Sequence, residues 1–132
     1  ESQYSGRSLV NVTDNIVAFK TLFSGGDGLG FDDFIAAEGF PEVSERILRN
    51  VDNAISISNS LAGSLVEESA RITSSAEETA CSNAFASPDS ANSDYGACRL
   101  NGAVKRVTDD LKIDFVTITG TNIPEGAQSD ND

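Results

Sequence analysis

The side chains that most often carry catalysis or bind metals are sparse in this sequence. Its 132 residues include no histidine and two cysteines. Without histidine the chain can form neither a Ser-His-Asp triad, nor a Cys-His pair, nor a histidine-ligated zinc or haem site. Two cysteines with sixteen residues between them, Cys81 and Cys98, cannot complete a four-cysteine metal site. The sequence therefore predicts no catalytic residue and no cofactor held by this chain alone.

Adjacent carboxylates are the remaining groups that could do acid-base or metal chemistry. They occur as Asp32-Asp33, Glu67-Glu68, Glu77-Glu78 and Asp109-Asp110. Neighbouring residues on a helix point about 100° apart, so each pair is a poor clamp for a cation and a poor acid-base couple. The pattern favours solvated helix faces. Within the acidic tail, 124–132, the terminal acidic cluster Ser129–Asp132 lacks the glycine and distal glutamate of a calcium loop.

The two cysteines bracket a segment rich in Ser, Asn, Asp, Ala and Gly. Closing such a loop with a disulfide is worth about 3 kcal/mol in the chain-entropy model. We expect Cys81 and Cys98 to be bonded, which indicates an oxidising compartment. Two buried free thiols are the alternative.

The charge of the chain excludes two classes of partner. A formal net charge of −12 repels both phosphate backbones and anionic lipid headgroups. No apolar run approaches the roughly 18 residues of a membrane-spanning helix. Nucleic-acid binding and membrane insertion are therefore not expected. Because the chain starts at Glu1, we expect it to be a piece of a longer protein.

Apolar residues recur at helical spacing in the first third of the sequence. A first helix is predicted from Ser8, its expected N-cap, to Phe23. The glycine-rich stretch 25–30 then follows a helix rather than a strand, so an inter-helix turn is favoured over a phosphate-binding loop. A short helix ending at Gly39 is expected next, with three apolar residues on one face: Phe31, Phe34 and Ile35.

A long helix is predicted from Pro41, since proline suits the first helical turn. Its apolar stripe comprises Val43, Ile47, Val51, Ala54, Leu61 and Leu65. Gly63 is expected to kink or end this helix. The last helix is predicted from about Arg99, with Leu100, Val104, Val107, Leu111 and Phe115 on one face.

Between these helices the periodicity fades, and residues 74–97 are predicted to form a long surface loop that the cysteines staple. Residues 117–119 are interpreted as a fraying helix end, with a short strand as the alternative. Together these patterns predict one all-α domain over residues 1–132, an up-down helical bundle with a disulfide-stapled loop.

Three segments in order resemble the C-terminal half of the imelysin-like family. They are Glu1–Ser5 followed by a helix, Gly28–Ile35 with Glu42–Ile47, and a final helix before an Asp-Asn-Asp tail. These are bacterial cell-envelope proteins first described as insulin-cleaving metallopeptidases, and they are often iron-regulated. The family's Gly-x-His-x-x-Glu motif belongs to the N-terminal half, and this chain has no histidine.

The resemblance implies either that this chain is a cleaved, non-catalytic half that packs on an N-terminal half carrying the histidine motif, or that it is a divergent relative with a single half; the missing Met start favours cleavage. It implies a periplasmic or cell-surface location, a link to iron or metal uptake, and a metal ion at the interface between the halves. Ser2, Tyr4 and Ser5 are similar to a recurrent Glu-Ser-x-aromatic-Ser stretch and are the candidate interface site. Helix capping and interhelical packing are the alternative role for these three residues.

The sequence alone leaves two further functions open. One is a metallopeptidase subunit that is active only with its partner half. The other is a small extracellular interaction domain such as the soluble part of a pilin, which would require a strand-rich second half that residues 74–132 do not suggest.

Overall fold

Helices make up all the regular secondary structure in the part of the chain that the computed structural model describes, residues 7–90 and 94–120. The predicted all-α bundle is confirmed. In chain order the elements are α1 (Ser8–Phe23), α2 (Phe31–Ala37), α3 (Pro41–Ser60), α4 (Leu65–Ala70), α5 (Ser75–Ala86), α6 (Gly96–Asp110), a π-helical turn (Leu111–Phe115) and α7 (Val116–Thr119).

Helix α3 is the centre of the bundle and packs against α1, α2 and α6. Its predicted stripe is buried from Val43 to Ala54, and Ile57 extends it. Around Ile47 this stripe meets Phe23, Ile35 and Val107, which come from three other helices. A second cluster joins Ala54 and Ile57 of α3 to Leu100 and Ala103 of α6. Burial of these apolar side chains is the main force that holds the helices together.

Helix α3 ends before the two predicted stripe residues Leu61 and Leu65. Leu61 is extended, and Ser64 starts α4 as its N-cap. Ser64 and Glu67 form a reciprocal capping box, and the hydrogen bond from the Ser64 backbone lowers the pKa of Glu67. Gly63 therefore marks the end of the long helix rather than a kink within it. The capping box of Ser64 and Glu67 starts a new helix at this point, so α3 does not continue to Leu65.

Helix α1 has the predicted length, but Ser8 is not its N-cap. Arg7 occupies the cap position, because its carbonyl already accepts the first helical hydrogen bond from Asn11 N, at 2.9 Å. Ser8 is therefore the first residue within the helix. On the inner face of α1, Thr13 shares a hydroxyl hydrogen bond with Ser58, which is 2 % exposed. This contact gives the buried hydroxyl of Ser58 a hydrogen-bond partner between α1 and α3.

The predicted loop over 74–97 is wrong for half of its length, since residues 75–86 form α5. Ser74 caps this helix, and Glu77 Oε2 accepts hydrogen bonds from Thr73 N at 2.8 Å and Ser74 Oγ at 2.9 Å. The bond from the Thr73 backbone is the main cause that lowers the pKa of Glu77. Ala84 is the only fully buried residue that α5 contributes. The sequence did not predict α5 because its alanines are too small to form a recognisable apolar stripe, although alanine has the highest helix propensity.

The predicted disulfide is confirmed, and it joins two helices rather than the ends of a loop. Cys81 lies on α5 and Cys98 on α6, with their Cα atoms 5.4 Å apart. Near this bond, Phe85 and Gly102 bring the two backbones into close approach. Helix α5 packs mainly on α6, so the disulfide reinforces its principal attachment to the bundle.

Replacing both cysteines by serine is expected to lower the free energy of unfolding by about 3 kcal/mol, because the unfolded chain then regains the freedom of the closed loop. Urea unfolding followed by circular dichroism would measure the difference. The wild type serves as the control and is measured twice, once with its disulfide intact and once after the disulfide has been reduced. Equal unfolding midpoints in all samples would contradict the prediction.

The last helix continues beyond α6 through the π-helical turn into α7. Residues 117–119 are therefore helical, as the fraying-end interpretation expected, and not a strand. In the described portion of the second half, the regular structure consists of helices joined by short connections, with no strand, unlike the strand-rich second half that a pilin would need. In the described residues no helix combines the length and apolar character required to cross a membrane.

Candidate functional site

The predicted interface residues Ser2, Tyr4 and Ser5 lie outside the described residues, as does the acidic tail at 124–132. Their proposed role stays a prediction. Across residues 7–90 and 94–120, no three Cys, Asp or Glu side chains come together as a set of metal ligands.

The adjacent carboxylates point to different partners rather than to a shared ligand. Glu67 caps α4, whereas Glu68 pairs with Arg71 at 3.1 Å. Asp109 pairs with Lys105 at 2.8 Å, whereas Asp110 binds Arg46 at 3.0 Å. Each of these two pairs is therefore divided between separate structural contacts, as the 100° separation on a helix predicts.

The glycine-rich stretch is the turn between α1 and α2. Gly25 and Gly26 have φ values of +70° and +59°, a left-handed conformation that ends α1. Gly30 lies so close to the end of α1 that an added Cβ would be 2.4 Å from the Phe23 carbonyl oxygen. The turn thus folds back on α1 and presents Leu29 and Phe31 beside the end of that helix.

An open apolar groove lies along this turn. It has a volume of about 960 Å³ and lies between the end of α1, the turn, α2 and the last helical segment. We call it the apolar groove, and it is lined by Thr21, Leu22, Gly25, Gly26, Leu29, Gly30, Phe31, Phe34, Phe115 and Thr119. A smaller pocket of about 350 Å³ adjoins it and shares Leu22, Phe31 and Phe115.

The ring of Phe115 forms the floor of the groove. It meets the ring of Phe31 in the groove wall edge to face, with centroids 5.4 Å apart, and lies 6.5 Å from the buried ring of Phe23. Phe19 stacks on Phe23 at 5.7 Å. Such aromatic pairs contribute about 0.5–1.5 kcal/mol each beyond the area they bury. Phe115 therefore packs against the core, and these ring contacts hold the floor of the groove in place.

The walls of the groove are unusually exposed for apolar side chains. Leu29 is 91 % exposed and Leu22 69 %, while Phe31 and Phe34 are each 45 % exposed. Single exposed apolar residues are normal on protein surfaces, but contiguous ones mark interaction sites. These four residues line one continuous groove.

An ionic network positions the part of the groove that comes from the last helix. The guanidinium of Arg46 on α3 binds Asp110 and also Asp114 in the π-helical turn, and Asn50 donates to Asp110 at 2.7 Å. The hydrogen bond with Asp110 is the main cause that raises the pKa of Arg46. π-Helical turns often occur at functional sites. Here the turn ends at Phe115, on the floor of the groove.

A second groove, of about 610 Å³, lies between α1, α4 and α6 and is a weaker candidate. Its lining includes Val12, Leu65 and Val104, which are only partly exposed. None of its residues is among the large apolar side chains with high exposure.

Local periodicity does not reveal the groove, because it predicts only that Phe31, Phe34 and Ile35 share one face of a short helix. Only Ile35 is buried. One feature of the sequence does indicate an exposed apolar residue. Leu29 lies between Gly28 and Gly30 in the predicted turn, so it belongs to no helix face that could bury it. Comparisons with protein-family models, curated proteins and solved structures find no match for this chain.

Proposed function

We propose that this chain is a non-catalytic protein-binding domain whose apolar groove packs against a partner polypeptide. The contiguous exposure of Leu22, Leu29, Phe31 and Phe34 is the observation that carries the proposal. Covering these side chains removes apolar surface from water, at roughly 25 cal/mol per Å².

A polypeptide suits the groove better than a small molecule. Small-molecule sites enclose most of the ligand and hold a few polar groups that fix its orientation. Here Leu29 and Leu22 project largely into solvent, and none of the described residues that line the groove is charged. A broad, open and apolar surface of this kind supports packing against another folded element.

The N-terminal half of an imelysin-like protein is the partner that we propose. The resemblance to that family rests in part on Gly28–Ile35, and this segment supplies Leu29, Phe31 and Phe34 to the groove. A metal ion bound between the halves, and a role in iron uptake, belong to the same proposal through the resemblance. The disulfide supports a location outside the reducing cytosol, and the resemblance makes the bacterial envelope the location that we propose.

The test is equilibrium binding of this chain to a recombinant N-terminal half that carries Gly-x-His-x-x-Glu, measured by titration calorimetry. Replacing Leu29 and Phe34 together by aspartate is expected to weaken binding more than about tenfold, since each side chain loses its apolar contact. Val66→Asp is the matched control, because Val66 is 56 % exposed on α4 and does not line the groove.

Circular dichroism would first establish that all three proteins keep the same helix content. Equal affinities of the double variant and the wild type would show that the groove is not the contact surface. No binding by the wild type would remove this partner.

A further inference from the structure

The charge distribution around the groove identifies the chemistry of its partner. From residue 21 to residue 45 the chain has no Lys or Arg, but it has six acidic residues. They are Asp27, Asp32, Asp33, Glu38, Glu42 and Glu45. This stretch contains the turn, α2 and the first part of α3, and all but Asp32 are exposed. The groove therefore lies within the most one-sidedly acidic stretch of the helical part of the chain.

Two of these carboxylates, Asp27 and Asp33, border the groove without lining it. Asp27 follows the groove residue Gly26, and Asp33 precedes the groove residue Phe34. Asp33 also accepts a hydrogen bond from Gly30 N at 3.0 Å, which fixes it at the start of α2. Two basic side chains are close to this region among the described residues: Lys112 lines the adjoining smaller pocket, and Lys20, which precedes the groove residue Thr21, pairs with Asp52 at 2.6 Å. An apolar floor with an acidic border is complementary to apolar residues flanked by basic ones.

This border disfavours two other occupants of the groove. A second copy of the chain would bring the same carboxylates face to face, and like charges in contact oppose association. An anionic lipid surface would be repelled in the same way. A strand is also disfavoured, because residues 7–90 and 94–120 contain no sheet edge to which it could add.

We infer that the apolar groove binds a cationic amphipathic helix of the partner protein, with its apolar face on the aromatic floor and its Lys or Arg residues beside the acidic border. This inference rests on the proposed function and specifies the chemistry of the contact. It does not depend on the partner's being an imelysin-like half.

Two synthetic helical peptides with identical leucine positions test the inference, one with lysine and the other with glutamate at the polar positions. Fluorescence anisotropy would measure their binding to the full chain. The lysine peptide is expected to bind, more weakly as salt rises, since salt screens exposed charges. The glutamate peptide is expected not to bind. Leu29→Asp with Phe34→Asp should abolish binding of the lysine peptide, whereas Val66→Asp should retain it.

Two double variants, each of which neutralises two carboxylates, distinguish the effect of the border charges from the effect of the protein's overall charge. Asp27→Asn with Asp33→Asn removes the two border charges and leaves an oxygen at position 33 that can still accept from Gly30 N, whereas Glu78→Gln with Asp94→Asn removes two exposed charges elsewhere. Each pair changes the net charge from −12 to −10. The first pair is expected to weaken binding of the lysine peptide about three- to tenfold, and the second to leave it nearly unchanged. Equal effects of both pairs would overturn the inference.

Three other outcomes would also overturn it. They are equal binding of the two peptides, binding of anionic lipid vesicles through Leu29 and Phe34, and a dimer of the chain that dissociates in the same double variant. If an imelysin N-terminal half binds through the groove while the lysine peptide does not, the inference fails and the proposed function stands. If neither binds, both fail.

Discussion

Replacing Ile47 by alanine is expected to lower the free energy of unfolding by about 2–5 kcal/mol. Ile47 is 0 % exposed at the middle of α3 and packs in the cluster that joins α3 to Phe23, Ile35 and Val107. The substitution removes three carbons from a site enclosed by four elements, so little of the resulting cavity can close. A loss of this size is a large share of the stability of a small domain.

Ile113→Ala is the matched control, because the same atoms are removed from a side chain that is 65 % exposed in the π-helical turn. Its effect is expected to stay within about 0.5 kcal/mol. Urea unfolding of both variants, followed by circular dichroism, would give the comparison. Similar losses at the two positions would contradict the assignment of Ile47 to the centre of the core.

Replacing Gly102 by alanine is expected to lower the free energy of unfolding by at least about 1–3 kcal/mol, because it forces α5 away from α6. A Cβ at Gly102 would lie 2.0 Å from the backbone carbonyl oxygen of Phe85. A backbone atom cannot turn aside as a flexible side chain does, so α5 itself must move. The disulfide between Cys81 and Cys98 limits that movement and holds the strain in place.

Gly28→Ala is the control for this substitution. A Cβ there would meet only the Gly25 carbonyl oxygen, at an ordinary 3.5 Å, and Gly28 does not have a positive φ. Thermal unfolding of the two variants would measure the difference in melting temperature. An unchanged melting temperature for Gly102→Ala would contradict the close approach of α5 and α6.

Large apolar residues at helical spacing made most of the fold predictable. The stripes of α1, α3 and α6 identify these helices because Val, Ile, Leu and Phe recur every three to four residues, and the pattern follows directly from burial on one face. Helix α5 was not predictable in this way. It buries only Ala84 fully, and its position depends on a cap at Ser74 and on a disulfide to a helix far along the chain.

The groove was harder to predict because it depends on tertiary placement. Whether Phe31 and Phe34 face the core or solvent is decided by Ile35, which occupies the core contact and turns the two rings outward. Phe115 comes from the opposite end of the described chain, and its position depends on the ionic network of Arg46. Local periodicity contains neither piece of information. The acidic stretch from 21 to 45, by contrast, is readable from sequence alone.

The pairing of α3 with α6 also determines when the core can close as the chain folds. It is the most extensive helix pair among the described helices, and it joins residues as far apart as Arg46 and Asp110, 64 positions along the chain. Until α6 is available to pack, the face of α3 that α6 covers stays open to water, and Cys81 cannot reach Cys98. Because the disulfide forms only in an oxidising compartment, docking of α6 and closure of the bond are expected to complete the fold together in that compartment.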